Sequence, residues 1–99
     1  MTTNSEYRTP HITGIPTPSG KGVFSIMRDG TLVGYPESSA VEMWMLTPIG
    51  DMTIRYTNSK TVYLYEEVPM EVGLRLITAE SVGEFVNKVI KPNYRVIAL

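Results

Sequence analysis

Ninety-nine residues, 42% apolar and 19% charged, make one globular domain with a modest core and exclude a chain disordered throughout. Nine Lys and Arg against ten Asp and Glu leave a net charge of −1, which excludes a non-specific binder of duplex DNA, since that affinity needs a net basic face. The absence of Cys excludes disulfide scaffolds, thiol catalysis and thiolate zinc sites, and no apolar run nears the roughly 20 residues that span a bilayer.

Residues 1–20 mix Pro10, Pro16, Pro18, Gly14 and Gly20 with Ser, Thr and Asn, so no strand or helix period survives. They read as an extended or disordered N-terminal arm. In the alternative reading, Tyr7, Ile12 and Ile15 anchor that arm on a partner subunit. Residues 21–99 read as a single α+β domain. Segments 22–27 and 32–35 are β-rich and joined through Asp29-Gly30, a pair that favours a tight turn. Pro36, with no amide hydrogen, ends the second of them. Over 40–46, Val41, Met43 and Met45 share one face and Glu42, Trp44 and Leu46 the other, as a strand or one short helical turn. The clearest hairpin joins 52–57 to 61–65, with Asn58 as a left-handed residue in its loop.

Helical spacing begins at Pro69, whose missing amide hydrogen costs nothing in a first turn. Val72, Leu76 and Ile77 form its core stripe, with Met70, Gly73 and Leu74 beside it. Ser81-Val82-Gly83-Glu84 is a capping-box pattern that opens a second helix over 82–91, ended by Lys91-Pro92. Residues 93–99 suit an edge strand. The expected fold is therefore α+β: an antiparallel β-sheet with two C-terminal helices packed on one face. Two short helices cannot cover both faces, so a homodimer or larger homo-oligomer is expected, with Trp44, Met43, Met45 and Met52 as an apolar patch.

No catalytic residue, metal ligand set or cofactor is assigned, and the chain reads as a non-enzyme. His11, the sole histidine, has neither Cys nor a second His with which to hold a transition metal. Glu66 and Glu67, adjacent on a strand, would point to opposite faces and make a poor acid–base pair. Ser19-Gly20-Lys21-Gly22 lacks the full phosphate-loop pattern. Lys88, Lys91 and Arg95 form an acid-free basic cluster, which a helix dipole alone would also favour at that helix end. Read functionally, they make a phosphate-binding corner with Tyr94, Tyr63 and Tyr65 as rings that could stack on a base.

The stretch Tyr63-Leu-Tyr-Glu-Glu-Val-Pro69, followed by Ala79-Glu-Ser-Val-Gly83, Phe85, Asn87, Ile90 and Tyr94, resembles the KTSC domain family over about residues 38–95. The family pattern has an aromatic pair where this chain has Phe85-Val86, and usually Gly in the hairpin turn where it has Asn58-Ser59-Lys60. Residues 1–37 fall outside the resemblance. It implies a small α+β module without established catalysis, linked to RNA or nucleotides by association, and found also as stand-alone proteins of bacteria and their phages. The expectation is a cytoplasmic, non-enzymatic protein that binds a small anionic ligand, a nucleotide or an RNA end, with no membrane partner. One form of it would be a phage-encoded sponge that sequesters a cyclic nucleotide signal in the host cytoplasm. The alternative is a protein–protein interaction module acting on a host or self partner.

Overall fold

Alternating apolar residues, interrupted by turns rich in Gly and Pro, build an antiparallel meander. The computed structural model describes residues 10–99. Its seven strands lie in chain order: β1 (Pro10–Pro16), β2 (Gly22–Met27), β3 (Leu32–Pro36), β4 (Val41–Leu46), β5 (Met52–Tyr56), β6 (Val62–Tyr65) and β7 (Val96–Ala98). Helix α1 (Met70–Thr78) and helix α2 (Val82–Phe85) fall between β6 and β7. The fold is α+β. Among the described residues, no helix is long and apolar enough to cross a membrane.

Part of the segment read as an arm is in the sheet. Ile12 stands opposite Ile26 and Ile15 opposite Phe24. Tyr7 lies outside the described residues, and so does the side chain of His11. The Asp29-Gly30 turn joins β2 to β3: Gly30 takes φ 94°, and the Asp29 carboxylate accepts the Thr31 N–H at 2.9 Å. That bond holds the Asp29 carboxyl below its usual range. Hairpin β5–β6 has the expected pairing, Met52 opposite Tyr65 and Ile54 opposite Tyr63. Among the described non-glycine residues, however, the positive φ belongs to Glu67 (57°), not Asn58. Ser59 closes that loop instead, its N–H donating to the Tyr56 carbonyl and its hydroxyl accepting from Thr61 N–H.

Cross-strand register places Leu32, Trp44, Leu46, Met52, Ile54 and Tyr65 on one face, all at most 4% exposed. They form one buried cluster with Val72, Leu76 and Ile77 of α1 and with Val82, Val86 and Ile90. The period-2 reading of β4 fails at its start. A bulge between Val41 and Met43 turns Val41 to the buried side, opposite Tyr56, and leaves Glu42 exposed. The patch drawn from Trp44 and the methionines is thereby divided: Trp44 and Met52 are buried, while Met43 and Met45 occupy the opposite face.

Two glycines set how closely the layers approach. A Cβ on Gly34 would run into the Trp44 indole, which lies across β3 at that point. A Cβ on Gly73 would come within 2.7 Å of Leu46 Cδ2. The cap at α2 is present, with Ser81 Oγ accepting from Glu84 N–H at 3.2 Å. Beyond Phe85 the expected α-helix widens into a π-helix, Val86–Ile90, in which Lys91 N–H reaches the Val86 carbonyl. Pro92 has no N–H with which to extend the ladder, and the Asn93 side-chain amide donates to the Val89 carbonyl at 2.8 Å.

Two substitutions test this frame. Gly34→Ala should cost about 3 kcal/mol or more, through overpacking against Trp44. Ser81→Ala should cost about 1 kcal/mol, by removing a cap acceptor. Urea unfolding followed by Trp44 fluorescence reads both, and a wild-type midpoint for Gly34→Ala would refute the contact.

Candidate functional site

β6 alternation puts Tyr63 and Tyr65 on the same face as Ile54 and Met52, so both rings turn inward. Tyr65 is 3% exposed, and its hydroxyl bonds that of Tyr56 at 2.7 Å. This corrects the expectation for Tyr65: a ring inside the core offers no face to a base. Tyr63 is partly buried and meets Tyr56 edge-on, with centroids 5.7 Å apart. The Lys91 ammonium lies 5.0 Å from the Tyr56 ring centre, a cation–π contact. Burial first, then the hydrogen bond to Tyr65, push the Tyr56 phenol well above its ordinary value. Tyr94 packs partly buried against the core. Arg95 is exposed, its carbonyl accepting Glu66 N–H at 2.9 Å. The structure thus joins Lys91, Tyr63 and Tyr65 through Tyr56, a residue the sequence did not single out.

Lys88 lies elsewhere. It lines a groove of about 640 Å³ between the 37–40 loop and the start of α2, which none of those tyrosines borders. Ser81, Gly83 and Asn87, three residues that carry the KTSC resemblance, line the same groove, as does Lys21. Gly83 keeps it open, because a Cβ there would sit 3.2 Å from Ala40 Cβ and 3.7 Å from Ser38 Oγ. Ser38 Oγ accepts the N–H groups of Ala40 and Val41, each at 3.1 Å, and Ser81 Oγ accepts from Glu84. With those lone pairs engaged, both hydroxyl hydrogens remain available as donors, beside the Asn87 amide. Lys21 and Lys88 stand 3.8 and 3.7 Å from Glu80 and Glu84. These pairs are exposed and contribute roughly 0–1 kcal/mol, so an anionic ligand could displace them. Two lysines against three glutamates, Glu37, Glu80 and Glu84, leave the lining at a formal −1.

Sequence reasoning named Lys88 but not its surroundings. Lys21 had one signal, the phosphate-like Ser19-Gly20-Lys21-Gly22. Ser38 had none, since only the fold brings its loop to α2.

The raised Tyr56 phenol predicts a loss of stability in alkali. Above about pH 10 the unfolded chain releases the tyrosine proton while the folded chain keeps it, so stability falls as pH rises. Urea midpoints measured from pH 8 upward should fall more steeply for wild type than for Tyr56→Phe. Equal slopes would show that the phenol is not shielded.

Comparison with known proteins agrees with the resemblance. The KTSC domain model matches residues 50–94, from the β4–β5 turn to Tyr94. A protein of Tsukamurella paurometabola is 47% identical over 64 residues, spanning 64% of this chain and 94% of that protein. The crystal structure of a KTSC domain protein from Yersinia pestis matches with a TM-score of 0.63 at 21% identity, covering 71% of this chain and 99% of that one. The chain shares a fold with the second and most of the length of the first, and it belongs to the KTSC domain family.

Proposed function

We propose that this protein is a non-enzymatic binding module whose ligand, a nucleotide or an RNA end, lies in the groove between the 37–40 loop and α2. The observation that carries the reading is the gathering of Ser38, Ser81, Asn87, Lys21 and Lys88 around one groove of about 640 Å³. Its hydroxyl, amide and ammonium groups are all hydrogen-bond donors, and they suit an acceptor-rich ligand. The size falls within the usual range for small-ligand sites, roughly 300–1,000 Å³. A lining with a formal charge of −1 favours a ligand with few phosphates, such as a mono- or cyclic nucleotide, over a polyphosphate. Asn87 and Lys88 lie on the π-helical segment, a geometry that recurs at functional sites.

The reading takes both helices to lie over one face of the sheet, an arrangement supported by the single cluster that Leu32, Leu46 and Met52 form with Val72, Leu76 and Val86. Lys91, Tyr94 and Arg95 form a second basic corner, and its lysine is engaged with Tyr56. Sequestering a host nucleotide signal is the biological role we attach to such a binder, in the cytoplasm of the cell that makes it.

A panel of mono-, di- and cyclic nucleotides in a thermal-shift assay tests the proposal. At least one should raise the melting temperature. Lys88→Glu should abolish that shift and leave the stability of the apo protein within about 1 kcal/mol of wild type, since its ion pair is exposed. Asn87→Ala should weaken binding by roughly tenfold, the loss of one hydrogen bond. If binding occurs and survives both changes but is lost in Lys91→Glu, the ligand sits at the second corner.

A further inference from the structure

The two edges of the sheet differ in how they meet solvent. β1 has Pro10 and Pro16 at its ends and two register shifts against β2. Prolines and bulges blunt an edge against pairing with another strand. β7 is Val96-Ile97-Ala98, without Pro, charge or bulge, and all three residues are exposed. Six large apolar side chains are strongly exposed among the described residues, and three of them lie on or beside β7: Val96 (48%), Ile97 (44%) and Leu99 (67%).

Hydrogen bonds on the inner side of β7 fix what its outer side presents. Glu66 N–H donates to the Arg95 carbonyl, and Leu99 N–H donates to the Val62 carbonyl. Ile97, opposite Leu64, falls midway between them. Antiparallel alternation therefore turns the N–H and C=O of residues 95, 97 and 99 toward β6, and those of Val96 and Ala98 outward. The open edge carries donors and acceptors two residues apart, a pattern complementary to itself when reversed.

We propose that β7 is a dimerisation edge, pairing antiparallel with β7 of a second copy about a two-fold axis at Ile97. Val96 then exchanges both backbone hydrogen bonds with Ala98 of the second copy, and Ala98 with its Val96, while Ile97 meets Ile97. Any other two-fold register aligns β7 partly with residues outside the strand. Pairing to β1 of another copy would build an open fibre, and the prolines and bulges of β1 oppose it. Neither paired segment carries a charge, and a net charge of −1 per chain adds little repulsion. Ile97, Leu64, Thr53, Met45 and Val33 form one cross-strand row, and the pairing continues it into the second copy. A contact three residues long buries far less than the roughly 800 Å² per partner of a stable interface, so the dimer forms in a concentration-dependent way. This inference does not depend on the ligand groove.

Ala98→Pro is the sharpest variant, because it removes an outward N–H and no bond to β6. In sedimentation equilibrium from low micromolar to near-millimolar concentration, the wild-type mass should rise from 11.1 kDa toward twice that value. Ala98→Pro should stay at the monomer mass with an unchanged circular dichroism spectrum. A wild type that remains monomeric throughout, or a variant that dimerises equally, overturns the proposal. Should the variant fail to fold, amide exchange in the wild type decides. The Val96 and Ala98 amides should slow by about tenfold between low and high concentration while Ile97 stays unchanged. Exchange independent of concentration at all three refutes the pairing, as does slowing at some other strand, which would place the contact elsewhere.

Discussion

The Trp44 indole lying across Gly34 is the contact on which the centre of this molecule depends. β3 passes beneath a side chain too large to share the space with any Cβ, and the strand is therefore glycine at that point. Leu32 and Leu46, paired two residues further along, meet Gly73 of α1 in the same way. Small residues at these two positions let one large ring and two leucines occupy the middle of the core at close packing, where dispersion contacts are densest. Trp44, Leu46, Met52 and Ile54 are accordingly no more than 2% exposed.

The KTSC sequence pattern separates into two physical roles. Tyr63, Tyr65, Val68 and Pro69 are structural. The tyrosines face inward, Glu67 takes a left-handed conformation to turn the chain, and Val68, 1% exposed, is tied by its N–H to the Gly50 carbonyl before Pro69 opens α1. Ser81, Gly83 and Asn87 instead line the groove. One of them, Ser81, both caps α2 through its oxygen and lines the cleft. Among the described residues Tyr56 is the one strongly raised acid, its proton held by burial and by the hydrogen bond to Tyr65.

Charge placement follows the same division. Lys91 rests on an aromatic ring within the tyrosine cluster, whereas Lys88 pairs with the exposed Glu84 carboxylate, and Lys21 with the Glu80 carboxylate and, at 3.3 Å, the Glu80 backbone carbonyl, at the rim of the groove. Exposed ion pairs contribute little, so those two lysines are loosely held. A lysine seated on a ring must give up that contact to move.

Local chemistry, read from the sequence by itself, determined the hairpins, the Ser81 cap, the core stripe of α1 and the terminal edge strand, because each rests on neighbours within a few residues. Period 2 in β5 and β6, and Pro92 as a stop, are signals of that kind, whereas Pro36 is the last residue of β3 and the pairing with β2 runs on to Glu37 N–H on the Lys21 carbonyl. Tertiary structure decided the rest. The β4 bulge moved Val41 to the buried face, β1 joined a sheet despite its prolines, and the end of the second helix opened into a π-turn, none of which is visible in a period read along one segment. The groove is the clearest case. Lys21, Ser38 and Lys88 share a surface only because the strands and α2 fold against one another, and no spacing between residues so far apart could have announced it.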